Sequence, residues 1–295
     1  MTVTDRTAAL REAARTSPAE ADLDALVDCL RADATEERIV GAETLGLLAL
    51  AGRDVSPAVD AFEFEAWELE PFERSVGFTP GLDEEVIIPR TVAFGVCASV
   101  VTDHLDPGTL VELVEIHERQ YPEFDADGRR YTAVGEIGWA LASTVIIDED
   151  RLDALLGLLD HDDRTVRHVA AAALSDVAEE YRSVHGHPVP RREELAATAA
   201  ELLATSDDDR LRYRGAFTLY EFGMEAPGLL RDRLPLLRAA LDDEYALVRK
   251  EAAGMLGFVG DEAAVDALEE LAESDPSDDV QTKAAGALES IRDGE

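Results

Sequence analysis

The stretch Leu241–Leu256, LDDEYALVRKEAAGML, decides the fold because its pattern returns along the whole chain. Three acidic residues, 242–244, precede a segment in which the apolar residues Val248, Ala252 and Leu256 are four residues apart, the spacing of one helix face. Acidic side chains are favoured at a helix start by the helix dipole. Alanine and glycine in the run allow a second helix to approach closely. The stretch therefore predicts a helix that is packed against other helices.

Seven copies of this pattern align on one residue, which we call the marker residue. Consecutive markers are separated by 32 to 52 residues. The markers are Arg38, Arg90, Arg130, Arg167, Arg212, Arg249 and Gln281. Repeats of about 20 to 50 residues are typical of solenoids, in which each helical hairpin buries its apolar face against the next one.

On these residues the chain resembles the HEAT-repeat family, in particular the HEAT-like repeats named after phycobilisome lyases, over about residues 18–292. The resemblance implies an all-α fold, an α-solenoid wound as a right-handed superhelix of about seven helical hairpins. A low aromatic content of 6% and the lack of alternating apolar stretches agree with an all-α chain.

We expect residues 1–17 to form a polar N-terminal arm and residues 18–295 to form one solenoid domain, because a repeat array needs no internal boundary. At the start of the solenoid, Ser17, Pro18 and Glu20 predict a capping box, with serine as the N-cap and proline in the first helical position.

The charge of the chain is strongly negative, with 64 acidic and 27 basic residues and a net charge of −37. This composition resembles that of cytosolic proteins of haloarchaea. Molar salt shortens the Debye length to about 3 Å and so screens the self-repulsion of such a chain. We interpret the acidity as an adaptation to the solvent rather than as the sign of a basic substrate.

The first 20 residues contain no apolar signal region, and no apolar run reaches the roughly 20 residues of a transmembrane helix. We therefore expect a cytoplasmic protein without a membrane partner. Cys29 and Cys97 are isolated within apolar helical patterns, which predicts two buried, reduced thiols.

Between the first two markers lies an insert at about residues 61–85 that is rich in glutamate and aromatic residues. Its aromatic side chains are Phe62, Phe64, Trp67, Phe72 and Phe78. Two interpretations remain open. The insert packs back on the first repeats and closes that end of the solenoid, or it is an aromatic docking surface, since aromatic residues are favoured interface anchors.

A second unusual segment, residues 182–250, carries 11 basic and 12 acidic residues and is nearly neutral within an acidic chain. It is a candidate surface for an acidic partner or for nucleic acid, because arginine presents a fork to carboxylates and phosphates. The other interpretation is that Arg167, Arg212 and Arg249 bond acidic turns inside the array.

Metal sites find little support in the sequence. Asp125, Asp127 and Gly128 superficially resemble part of a calcium loop, but loop position twelve would be Val134 instead of a bidentate glutamate. His185 and His187 lie without nearby cysteines in a segment rich in proline and glycine, which favours an exposed loop over a zinc site.

HEAT-like deoxyhypusine hydroxylases resemble this architecture, but they hold two irons with repeated His-Glu pairs, and here His117-Glu118 is the only such pair. No nucleophile set or phosphate loop exceeds chance. We predict no catalytic residue, cofactor or metal.

The predicted function is a non-catalytic, monomeric scaffold or adaptor that binds another protein, with archaeal taxis signalling as one setting that the resemblance allows. The alternative is a HEAT-like protein that binds or modifies nucleic acid through residues 182–250.

The binding face follows from the repeat frame. If the marker residue and the small residues face the core, positions one, two, five and nine after the marker point toward the concave side. Aromatic and basic residues are frequent there and predict one continuous groove. Its residues are Tyr131, Trp139, His168, Tyr213, Arg214 and Lys250. In the alternative interpretation, Trp139 and Tyr213 are wedged between successive repeats.

The net charge generates the first testable prediction. The melting temperature should fall and the chain should expand when the protein is dialysed from molar KCl into dilute buffer. The acidic side chains behind the net charge of −37 then repel one another without screening by salt. Circular dichroism melts and small-angle scattering measure both effects. An identical melting temperature in the two solvents would contradict the interpretation.

Overall fold

The computed structural model of the protein describes residues 3–32, 35–59, 95–102, 106–118, 124–146, 151–180 and 189–293. Within these ranges all regular secondary structure is helical, which confirms the all-α prediction. The insert at about 61–85, with Phe62, Phe64, Trp67, Phe72 and Phe78, lies outside the described residues, so the choice between a cap and a docking surface stays open.

The chain divides into two compact units, residues 1–173 and 174–295. The prediction of one domain over 18–295 stays a prediction. In chain order the helices of the first unit are α1 (Val3–Thr16), α2 (Leu23–Leu30), α3 (Thr35–Leu50), α4 (Ser56–Val59), α5 (the described residues 95–101), α6 (Thr109–Glu118), α7 (Ala126–Ile146) and α8 (Leu152–Leu158), followed by α9 (Arg164–Glu180), which contains the boundary.

The second unit continues with α10 (Arg192–Thr205), α11 (Asp209–Glu225), α12 (Pro227–Arg231), α13 (Leu234–Ala239), α14 (Ala246–Val259), α15 (Val265–Ser274) and α16 (Asp278–Asp293). Sequence neighbours pack as hairpins, α10 with α11 and α15 with α16, and the marker-bearing helices α11, α14 and α16 pack on one another in turn. This is the arrangement of an α-solenoid, and it places the apolar face of each hairpin against the next.

Two local expectations at the chain start need correction. Residues 3–16, expected within a polar arm, form helix α1, which packs against α3 and buries Ala14. The capping box is wrong, because Ser17 makes no cap hydrogen bond and residues 18–20 form only one 3₁₀ turn. The following helix α2 is capped by Asp22, whose carboxylate accepts from the amide of Ala25 at 3.1 Å.

The acidic stretch before α7 also has a local structural role. The carboxylate of Asp125 accepts from the amide of Gly128 at 2.8 Å, and the Asp125 carbonyl accepts from the amide of Arg129 at 2.9 Å. Asp125 therefore caps a helix start, where a side-chain acceptor satisfies an amide that has no partner within the helix.

The marker arginine joins two acidic turns. Arg249 donates through Nη1 to the carbonyls of Asp243 and Glu244, at 2.7 and 3.0 Å, in the turn before its own helix. Its Nε and Nη2 donate to both carboxylate oxygens of Asp275, at 2.7 and 2.9 Å, in the turn before the next marker helix. One guanidinium thus fastens a repeat to its successor.

The same arrangement returns at other markers. Arg212 donates to the Ser206 carbonyl at 3.2 Å and binds the Asp243 carboxylate with a fork at 2.8 and 3.1 Å. Arg167 donates to the carbonyls of His161 and Asp162. The interpretation that Arg167, Arg212 and Arg249 bond turns within the array is confirmed.

Burial makes this pairing energetically important. The side chain of Asp275 is 2% exposed and that of Arg249 is 12% exposed. The hydrogen bonds from Arg249 hold the pKa of Asp275 below its ordinary value. The stabilisation from the pair is therefore fully present above the pKa of an unfolded aspartate, about 3.9, and is lost as the pH falls through the lowered value.

Close approach of neighbouring helices requires glycine at particular positions. A Cβ atom on Gly257 of α14 would lie 2.5 Å from the Cα atom of Ala287 in α16. A Cβ atom on Gly215 of α11 would lie 2.5 Å from the carbonyl oxygen of Ala199 in α10. These neighbouring atoms belong to the backbone and cannot move away by a change of rotamer. Both helix contacts therefore require glycine, which has no Cβ atom.

Replacing Arg249 by alanine should lower the free energy of unfolding by about 3–5 kcal/mol, because it leaves the buried Asp275 carboxylate without its counterion. Urea denaturation in high salt measures the loss. The matched control is Arg292→Ala, which removes an exposed pair with Glu269 and should cost less than about 1 kcal/mol. Equal losses in the two variants would show that the Arg249 pair does not hold the repeats together.

Ala253→Asp should also destabilise the second unit, because Ala253 is fully buried and an unpaired buried charge costs on the order of 3–5 kcal/mol. Ala171→Asp should do the same in the first unit. Ala285 occupies the same position after its marker but is exposed, so Ala285→Asp is the matched control. Hydrogen exchange should show lost protection around residue 253 in Ala253→Asp and unchanged protection in Ala285→Asp. Unchanged protection in Ala253→Asp would mean that the repeat frame is misplaced.

Candidate binding groove in the second unit

The marker helices of the second unit enclose a cavity of about 480 Å³, which we call the groove. Its walls are α14 and α16, with one residue contributed by α11. The lining residues are Tyr220, Lys250, Gly254, Gly257, Phe258, Asp279, Thr282, Lys283, Gly286, Ala287 and Ser290. Most of them occupy the positions after the marker that the repeat frame assigns to the binding face.

The groove exists because side chains are missing at one repeat position. The fifth residue after the marker is Phe217 in α11, but it is Gly254 in α14 and Gly286 in α16. A Cβ atom on Gly286 would meet nothing within 4 Å, and one on Gly254 would meet only the flexible side chain of Lys283. Two glycines at adjacent copies therefore leave open space where α11 carries an aromatic ring.

Lys250 and Lys283 are the only two lysines in the sequence, and both line the groove. The ammonium group of Lys283 lies 5.3 Å from the centre of the Tyr220 ring, within the range of a cation–π contact. Neither lysine forms an ion pair within 4.0 Å in the part of the chain that the structure describes. The two ammonium groups therefore keep donors available for a ligand.

One buried carboxylate, Glu251, interacts with both lysines, and a second, Glu221, interacts with Glu251. Glu251 is 7% exposed and Glu221 is 6% exposed. Burial raises the pKa of Glu251, and the positive charges of Lys250 and Lys283 act in the opposite direction. Glu251 is therefore a buried titratable group that interacts electrostatically with both lysines of the groove.

An exposed aromatic residue lies beside the charged groups. Phe258 lines the groove and is 43% exposed, although it is large and apolar. Exposed aromatic side chains next to cationic groups are common energetic centres of interfaces. The groove thus offers an apolar contact together with two positive charges.

Tyr213 is in contact with other aromatic side chains of the second unit. Its ring meets that of Tyr245 edge to face, with centres 6.3 Å apart and an angle of 81°, and lies 6.1 Å from the ring of Phe217. The guanidinium carbon of Arg214 lies 6.0 Å from the centre of the same ring. Because Tyr245 directly precedes α14, the Tyr213 ring contacts the start of the next marker helix, and the choice between the two interpretations of Tyr213 stays open.

The six residues predicted for the binding face are distributed over both units. Lys250 lines the groove, and Tyr213 with Arg214 lies on α11 of the same unit. In the first unit, Tyr131 and Trp139 lie on α7 and His168 on α9. Tyr131 is 37% exposed and Trp139 is half-buried, whereas His168 is 8% exposed and offers little of its ring to a partner. One continuous groove through all six stays a prediction.

Sequence reasoning missed Lys283, Tyr220 and Phe258. The signal was available, because the offsets used for the other copies also apply to the last marker, Gln281. They select Thr282, Lys283, Gly286 and Ser290, and all four line the groove. Phe258 is the ninth residue after Arg249, so the same offsets would have selected it, whereas Tyr220 is the eighth residue after Arg212 and lies outside them.

Three of the arginines that the structure describes in the segment 182–250 form ion pairs within the protein. Arg212, Arg238 and Arg249 bind the carboxylates of Asp243, Asp261 and Asp275. The hydrogen bonds to these aspartates raise the pKa of each of the three arginines.

Two more arginines of this segment have partners nearby. Arg191 binds Glu194 at 2.7 Å, and Arg233 donates to the Leu229 carbonyl at 2.8 Å. These two contacts are local, whereas those of Arg212, Arg238 and Arg249 join segments that are more than 20 residues apart.

Helix pairs stacked through a repeated arginine define an α-solenoid, and a family model agrees with this. Residues 196–289, about a third of the chain, match the model described as HEAT repeats, and this range contains every lining residue of the groove except Ser290. A comparison with curated proteins gives no match.

Among solved structures, two crystal structures of engineered proteins are similar at 20% identity. One gives a TM-score of 0.45 over 92% of this chain and 97% of the other, and the second gives 0.43 over 99% and 75%. The complex of CpcE and CpcF of phycocyanin lyase from Nostoc sp. PCC7120 is 18% identical, with a TM-score of 0.28 over 92% and 94% of the two chains.

The described residues lack two features. They contain no helix with the length and hydropathy needed to cross a bilayer. They also contain no group of three or more histidine, cysteine, aspartate or glutamate residues arranged to hold a metal ion.

Proposed function

We propose that the protein is a non-catalytic scaffold or adaptor that binds another protein through the groove of its second unit. The observation that carries this proposal is the combination in one cavity of an exposed Phe258 with the two lysines of the chain. Repeat arrays use such faces for binding, because stacked helices form an extended surface that is already ordered before the partner arrives. HEAT repeats, to which residues 196–289 match, commonly serve in protein-interaction scaffolds.

Nucleic-acid binding through residues 182–250 is less well supported. Phosphate contacts need cationic side chains that can reach out of the protein. Arg212, Arg238 and Arg249 instead point their forks at aspartates of the array. The net charge of −37 adds repulsion toward a polyanion.

The cellular setting is also a proposal. We place the scaffold in the cytoplasm of a halophile, because the excess of acidic residues suits molar salt. Taxis signalling in haloarchaea is one setting in which an adaptor with HEAT-like repeats would act. We propose that the protein works as a monomer that presents the groove to its partner.

Capture from a native high-salt lysate tests the scaffold function, with the bound proteins identified by mass spectrometry. Phe258→Ala should weaken partner recovery at least tenfold, because exposed aromatic anchors carry a large share of interface energy. The matched control is Met224→Ala, which truncates a side chain of similar exposure on α11 that does not line the groove.

Both variants should keep the melting temperature of the parent, since both side chains are exposed. Equal recovery with the parent and with Phe258→Ala would overturn the assignment of the groove. Recovery of nucleic acid in place of a protein would overturn the scaffold function itself.

A further inference from the structure

We infer that the groove receives an acidic side chain of the partner between Lys250 and Lys283, and that the partner presents it in a short segment with an apolar residue beside the acid. This inference rests on the proposed scaffold function and specifies the chemistry of the partner.

The choice of cation supports this inference. The chain has 27 basic residues, of which two are lysines, and both lysines line one cavity. Arginines such as Arg212 and Arg249 form forked pairs with aspartates of the next repeat. Lysine carries a compact charge on a flexible stem with three donors, which suits an acid that arrives from outside in variable geometry.

The charge around the groove limits the size of the anion. Lys250 and Lys283 provide two positive charges, while Asp279 lines the same cavity and Glu251 lies beside it. The chain as a whole is strongly negative. A single carboxylate can pair with the lysines at short range, whereas a long polyanion would extend past them along a strongly acidic chain. A short acidic peptide segment therefore fits better than nucleic acid.

The shape of the groove fits a peptide side chain with an apolar neighbour. Its volume of about 480 Å³ lies within the roughly 300–1,000 Å³ that is usual for ligand sites. Gly254 and Gly286 leave the floor open beside the lysines, and Phe258 is exposed at the same cavity. The acid would meet the ammonium groups while the next apolar residue contacts the Phe258 ring.

Glu251 is an internal competitor for the same charges. Its carboxylate is buried and interacts with both Lys250 and Lys283. Replacing it by glutamine keeps the shape of the side chain but removes the negative charge. The lysines would then attract an external carboxylate more strongly, so Glu251→Gln should increase affinity for an acidic segment.

Selection from a displayed library of random seven-residue peptides tests the inference with the full-length chain in molar KCl. Peptides recovered on the parent, and not on the Lys250→Gln/Lys283→Gln double variant, should be enriched in aspartate or glutamate next to an apolar residue. A synthetic copy of a recovered peptide should bind the double variant at least tenfold more weakly. It should bind Glu251→Gln several-fold more tightly than the parent.

Arg231→Gln is the charge-matched control, since Arg231 is an exposed cation of α12 outside the groove, and affinity should not change. Replacing the acids of the peptide by their amides should reproduce the loss seen in the double variant. Because the chain has two lysines, ¹³C-methylation gives one reporter signal for each, besides that of the α-amino group, and both should shift when the peptide is added.

Recovery of no peptide, recovery of peptides without acidic enrichment, or equal binding to the double variant would each overturn the inference. Tight binding of a single-stranded oligonucleotide that is lost in the double variant would also overturn it, in favour of a polyanion site. If the double variant still captures the partner from lysate while Phe258→Ala does not, the scaffold function stands and only the acidic chemistry is wrong.

Discussion

The structure of the second unit depends on one interaction, the fork between a marker arginine and the aspartate of the next acidic turn. Arg249 and Asp275 illustrate the constraint, because both are largely buried and each guanidinium nitrogen has an acceptor. A buried ion pair of this kind adds modest net stability, since desolvation offsets much of the attraction, but its loss leaves an isolated charge. It therefore acts mainly to fix the register in which one repeat stacks on the next.

Fixing the register also fixes which side chains line the groove. When the marker points at the next turn, the first, second, fifth and ninth residues after it lie on one face of each marker helix in the second unit. In α14 and α16 that face carries both lysines, Phe258 and two glycines. The groove is therefore a direct consequence of the stacking interaction combined with the residues at four repeat positions.

The use of arginine and lysine is divided between these two roles. Arginine, with a planar fork, holds aspartates inside the array, and lysine lines the open cavity. The chain has a net charge of −37, so most of it repels an acidic partner. Lys250 and Lys283, which have no ion-pair partner in the described residues, attract an acidic side chain locally. Such contrast favours specificity, because most of the surface repels acidic partners.

The sequence by itself determined the all-α solenoid and the role of the marker residues Arg167, Arg212 and Arg249, because helical periodicity and the spacing of arginines depend on local chemistry that recurs in these copies. It was wrong where a local pattern had two physical outcomes, as at Ser17, where a 3₁₀ turn replaces the expected helix start. It also left two interpretations open for Tyr213, as a residue of the binding face or as a residue packed between repeats. The exposure of Tyr213 depends on the neighbouring repeat. Only the tertiary structure decided that Lys250, Lys283 and Phe258 share one cavity. Their proximity requires α14 and α16 to pack closely through Gly257, and it requires the space left by Gly254 and Gly286 to remain unfilled.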